Sequence, residues 1–188
     1  MCAALGYCVR DADPSLGVRN TAAKGRSATW TEGEVVRLFK RAWRDGYYGL
    51  GALIAVGWST QLSPGDVRNL RASQLVKDQN GVAFFAERSK TGKPVGGQLN
   101  DRALAAMEAY LDRLGIELHE SHIFRTRSGT PYSKDTLGDD FRDVRRAVFG
   151  EREKRTLADF RRSGAHEAIA GDAQPAALAH AMGNTLHA

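Results

Sequence analysis

Three stretches of this 188-residue chain carry cations at spacings that could meet phosphate groups. "ERSKTGKPV" places Arg88, Lys90 and Lys93 on and beside a turn, and "HIFRTRSGTPYS" places Arg125 and Arg127 in a glycine-containing loop. "TLADFRRSGAHEAIAG" puts Arg161 and Arg162 directly after Phe160 in a helical pattern. A guanidinium grips two phosphate oxygens at once through its planar fork, and an ammonium adds a compact point charge. Each feature also has a plainer reading. Lys90 and Lys93 would serve equally as solvated turn charges, and Arg161 has Asp159 and Glu167 within reach as surface partners. His166 and His180 read as packing or solvent-facing residues, and Tyr132 follows a Gly-Thr-Pro turn.

Composition sets the outer bounds. With 42% hydrophobic residues the chain can build one packed domain with a sizeable core. Lys and Arg number 27 against 22 Asp and Glu, a formal charge of +5, which favours polyanionic partners. Cys2 and Cys8 are the only cysteines and fit neither a disulfide framework nor a zinc spacing, so a reducing cytoplasm is the expected setting. The longest apolar run, "YYGLGALIAVGW", is too short to span a bilayer, and no membrane partner is expected.

The positioning elements follow from local patterns. Residues 1–28 read as a linker or N-terminal arm, and 29–188 as the domain. Thr31 and Glu34 fit a capping box ahead of an apolar stripe through Val35, Val36, Phe39, Ala42 and Trp43. Tyr47 to Trp58 is apolar nearly all round, as a central buried helix would be. Ser63 is an N-cap, with Pro64 at the first helical position and Asp66 completing the cap. Val82 to Arg88 and Val95 to Leu99 predict a β-hairpin, its turn made by Thr91, Gly92, Lys93 and Pro94. Leu104, Met107, Leu111 and Leu114 predict one buried helical face. From Ser133 a further helix buries Leu137, Phe141, Val144 and Val148 and leaves Arg142, Arg145 and Arg146 largely off that face. Two short helices close a domain that is mainly α with a small antiparallel β-sheet.

Four stretches, "TQLSPGDVRNLRASQL", "RSKTGKPV", "ADFRRSGAHEAIAGDA" and "LAHAMGNT", stand in an order and at a spacing that resembles the catalytic domain of the tyrosine recombinases, the phage-integrase family. The similarity covers about Trp30 to the C-terminus, and the alanine-rich start resembles the tail of that family's preceding core-binding domain. The resemblance implies a DNA breaking-rejoining fold, double-stranded DNA as partner, recombinase-type neighbouring protomers on that DNA, and no metal or nucleotide cofactor. Family chemistry is strand cleavage by a tyrosine, with fixed donors stabilising a pentacoordinate phosphorane.

Matched position by position, the resemblance assigns Lys90 as the hairpin lysine that protonates the leaving oxygen and Arg161 as the second phosphate-binding arginine. Three positions depart from the family pattern: Ser63 stands for the first arginine, Ala158 for the histidine, and Asn184 for a further His or Trp. The nucleophile is expected several residues beyond Asn184, and no tyrosine follows Tyr132 in these 188 residues. The expectation is a DNA-binding domain unable to cleave, with Arg88, Lys93, Arg125, Arg127 and Arg162 as further DNA contacts. Two alternatives stay open: an active catalytic domain whose tyrosine lies outside this sequence, and a helical interaction domain with no nucleic-acid partner.

Overall fold

The structure is a computed structural model, and it describes residues 27–79, 81–88, 92–115 and 120–170, with side chains through His166. Helix α1 spans Glu32–Arg44 and starts on the expected capping box: the Thr31 N–H donates to Glu34 Oε2 at 2.9 Å and the Glu34 N–H to Thr31 Oγ1 at 3.4 Å. Its stripe buries Val35, Leu38 and Ala42, while Phe39 and Trp43 are only partly covered. Helix α2, Tyr48–Thr60, is the central element, with Leu50, Leu53, Ile54 and Val56 at or near zero exposure between α1 and later helices. Helix α3 is the short Pro64–Arg68, capped by Ser63, whose Oγ accepts from the Asp66 N–H at 3.2 Å.

Strands β1 (Leu75–Asp78), β2 (Gly81–Glu87) and β3 (Pro94–Leu99) form an antiparallel meander in that order. The expected hairpin is therefore one half of a three-stranded sheet. Strand β1 pairs Leu75 with Phe84 and Asp78 with Gly81, and only Leu75 on it is even half-buried. It lacks an alternating pattern because pairing with β2, not a buried face of its own, holds it. Strand β3 lies tightly on the C-terminal end of α2. A Cβ at Gly97 would collide with the Thr60 side chain, and Ser59 Oγ donates to the Gln98 carbonyl at 3.0 Å while accepting from the Asn100 N–H at 2.8 Å. That contact seats β3 and the residue after it, Asn100, against the end of α2.

Helix α4 spans Asp101–Leu114, α5 Lys134–Phe149 and α6 Ala158–Ala170. Two expectations need correction. The buried face of α4 is Ala103, Ala106, Met107 and Tyr110, with Leu104, Leu111 and Leu114 at its margin. Small alanines allow close approach, and Tyr110 is drawn inward by its hydroxyl partners. Arg145 is 8% exposed rather than off the core face, because its guanidinium Nη1 donates to the Arg155 carbonyl at 2.7 Å. Burial holds its pKa below the ordinary arginine value.

Helix α6 is locked in rotation and register. Thr156 N–H and Oγ1–H both donate to Asp159 Oδ2, at 2.7 and 3.0 Å. Trp30 donates its backbone N–H to Ser163 Oγ at 2.7 Å and its indole N–H to the Thr156 carbonyl at 3.0 Å. Phe160 packs edge-on against Trp30, Trp58 and Phe141 in the core. Arg161, the next residue, is thereby turned about 100° away from the core.

Candidate nucleic-acid interface

Four side chains from three elements converge beside the α2–α3 loop. Ser63 Oγ donates to Asp66 Oδ2 at 2.6 Å, which places the Asp66 carboxylate over the start of α3. Asp66 is almost fully buried, and Arg88, just past the end of β2, brings its Nε to 3.9 Å from Asp66 Oδ2. Arg161 of α6 completes the group. Its pKa is pushed down first by burial and then by the neighbouring Arg88 cation, with Asp66 pulling the other way. Two guanidinium groups thus stand near each other against one carboxylate.

The α6 side of this cluster is close-packed. A Cβ at Gly164 would overlap the Gln61 side-chain amide, so α6 approaches the α2–α3 loop to backbone distance. Gln61 itself is left-handed, with φ of +54°, and ends α2. Only a residue without a side chain at 164 lets α6 come this near Gln61.

Ala158, the first residue of α6, is exposed and has no titratable group. It lines a cavity of about 420 Å³ together with Pro64, Gly65 and Arg68 of α3 and Leu137 and Arg145 of α5. Lys134 also lines this cavity. Sequence patterns did not single out this hollow, because its residues come from three separate segments.

The remaining cations fall in other neighbourhoods. Lys93 is exposed beside the turn, whose closure is marked by the Arg88 N–H donating to the Lys93 carbonyl at 2.9 Å. Arg125 Nη1 donates to the Gly129 carbonyl at 2.9 Å and so braces its own loop. Together with Arg71 and Arg68, and behind the larger effect of burial, it holds the His122 pKa below its ordinary value. Arg127 covers the Tyr47 ring at 4.0 Å. Arg162 faces away from Arg161, its Nη1 at 3.3 Å from Asp159 Oδ1 and 3.5 Å from the Ala28 carbonyl. Tyr132 is buried and donates to Asp140 Oδ2 at 2.9 Å, and its pKa is raised by burial and by that carboxylate. Lys90 and Asn184 lie outside the described residues. Among the described residues, no group of three or more His, Cys, Asp and Glu could hold a metal, and no helix is long and apolar enough to cross a membrane.

No protein-family model and no curated protein matches this sequence. Solved structures do match in shape. A XerA recombinase superposes with a TM-score of 0.71 at 19% identity, over 92% of this chain and 62% of that one. A lambda integrase dimer bound to a COC′ core site gives a TM-score of 0.73 at 19% identity, over 98% of this chain and 52% of that one. The lambda integrase catalytic core gives 0.64 at 19% identity, over 83% of this chain and 91% of that one. The chain thus spans a half to two-thirds of the first two proteins but nearly all of the catalytic core. With its helices and three-stranded sheet in the same arrangement, this chain has the fold of tyrosine recombinase catalytic domains.

Proposed function

We propose that this chain is a DNA-binding domain associated with site-specific recombination or DNA integration, which grips the phosphate backbone but does not cleave it. The observation that carries the proposal is Arg88 at 3.9 Å from the buried Asp66, with both residues acting electrostatically on Arg161, on a recombinase fold. Two like charges beside a single carboxylate favour a further anion, and a DNA phosphate is such an anion. The lambda integrase and XerH structures with the same fold are DNA complexes, which supports DNA as the polyanion.

The inability to cleave rests on residues inside the domain. Ser63 is short and uncharged, and its hydroxyl is committed to Asp66. Ala158 offers no proton to give or take. Losing one donor aimed at transition-state charge costs on the order of 3 kcal/mol, and here two positions are changed.

Fluorescence anisotropy with a duplex, across a salt series, tests binding; a suicide-substrate gel tests cleavage. Affinity should fall steeply with salt, Arg161→Ala should weaken it, and no covalent adduct should form. Salt-independent binding, or none, would reject the DNA reading, and an adduct would reject the loss of cleavage.

A further inference from the structure

The charge balance of the cluster goes one step further. Ser63 occupies the place where the resemblance expects a guanidinium, and its Oγ is spent on Asp66 at 2.6 Å. Asp66 in turn faces Arg88, with Nε and Oδ2 separated by 3.9 Å, too long for a hydrogen bond between those two atoms. The Arg88 side chain is 19% exposed and the Asp66 side chain 4%. Both charges are therefore largely withdrawn from water, while Arg161 stands near them on α6. Within this trio two guanidinium groups face one carboxylate, an arrangement to which a phosphodiester would add a second anion.

We infer that Arg88 is the second phosphate-binding guanidinium of this site, standing in for the arginine absent at Ser63, and that Asp66 is the resident anion it leaves when a DNA phosphate arrives. The inference rests on the DNA-binding reading above. Arg88 reaches the cluster from β2 rather than from the head of α3, so the two arginines come from different elements than a match along the sequence would assign. A backbone phosphate offers Arg88 a bidentate geometry that Asp66, 3.9 Å from its Nε, does not. Asp66 meanwhile keeps the Ser63 hydroxyl as a donor, so losing Arg88 does not strand it. The carboxylate then tunes affinity by competition.

The test is a set of variants in the same duplex-DNA salt series, with unfolding curves for each. Arg88→Gln should weaken binding about tenfold and reduce the slope of log affinity against log salt by about one. Arg88→Lys should keep the slope yet bind more weakly, since it retains the charge and loses the fork. Asp66→Asn keeps an acceptor for Ser63 and should tighten binding severalfold, a gain that disappears when Arg88→Gln is added. A purely structural Arg88–Asp66 pair predicts the opposite for Asp66→Asn: lower stability and no gain in affinity. Wild-type protein that binds, with Arg88→Gln unchanged in affinity and slope, overturns the role of Arg88 alone. Asp66→Asn binding no tighter overturns the competition. A wild type that does not bind DNA removes the parent reading and this one together.

Discussion

The Gln61 side-chain amide lies directly over the Cα of Gly164, filling the space that any other residue on α6 would need. Gln61 pays for this position twice: its backbone is left-handed, and its Oε1 is buried with no hydrogen-bond partner among the described residues. Its Nε2 donates to the Trp58 carbonyl at 2.5 Å, which anchors the amide in place. Gly164→Ala would ordinarily favour a helix by about 1 kcal/mol. Here the new Cβ must push the amide off Trp58, and we expect a net loss of about 1–2 kcal/mol. Gln61→Gly relieves the left-handed strain and should be neutral or stabilising by up to about 1 kcal/mol. In that background Gly164→Ala should reverse sign and stabilise. Urea unfolding of the four proteins measures the cycle, and additive effects would show that the two residues do not oppose each other.

Arg155 predicts a specific acid sensitivity. It donates from Nη2 to Glu34 Oε1 and to Glu153 Oε2, both at 2.7 Å, and stacks over the Trp30 ring at 3.9 Å. Its hydrogen bonds are the largest cause holding Glu153 down to about 2 from an ordinary 4.5, and they also lower Glu34. Because both folded-state values are depressed, their stabilisation is complete above the unfolded value and drains away as pH falls from about 4.5 toward 2. Glu153 alone should contribute on the order of 2 kcal/mol. Arg155→Met should lower stability at neutral pH and flatten the decline between those limits. A wild-type acid slope retained in Arg155→Met would place the responsible carboxylates elsewhere.

Local chemistry made much of this fold legible. The caps at Thr31 and Ser63 are short-range hydrogen bonds, and the uniform apolarity of α2 demands a central place. Strand β1 escaped notice because its order comes from Phe84 and its neighbours on β2, although the Asn80-Gly81 pair before Val82 is a hairpin turn signal. Arg145 follows helical spacing off the apolar face, and only the Arg155 carbonyl, ten residues on, explains its burial. At the candidate site, Arg161 was legible through order and spacing, whereas Lys90, assigned in the same way, lies outside the described residues. Asp66 was legible only as a cap. Its meeting with Arg88 depends on how β3 seats on Ser59 and Thr60, a tertiary contact that leaves no periodic trace.

Tyr110→Phe should be costly for a change of one atom. The Tyr110 hydroxyl donates to the Ile123 carbonyl and accepts from the Arg125 N–H, both at 3.1 Å, at a site 3% exposed. Removing it strands a buried acceptor and a backbone donor together, for a loss of about 2 kcal/mol. Thermal unfolding reads this directly. Unchanged stability would mean that water reaches both groups in the variant. The same bonds hold the start of the loop bearing Arg125 and Arg127, so DNA affinity should drop only if those arginines contact the duplex.

Trp30 links the segment entering the domain to the helix that carries Arg161. Its backbone N–H reaches Ser163, its indole N–H reaches Thr156, and its ring packs on Phe160. Trp30→Phe keeps the backbone bond but loses the indole donor and part of the ring volume, a destabilisation of about 2–3 kcal/mol. The positional consequence is the sharper prediction. If Trp30 sets the start of α6, the variant holds Arg161 less firmly against Arg88, and Arg161→Ala then costs less affinity than in the wild type. Anisotropy on the wild type, the two single variants and the double variant, under conditions where all are folded, gives the coupling. Because Trp30 and Arg161 share no hydrogen bond among those described, any non-additivity must pass through the helix. Strictly additive losses would leave Trp30 a core residue with no part in presenting the arginine.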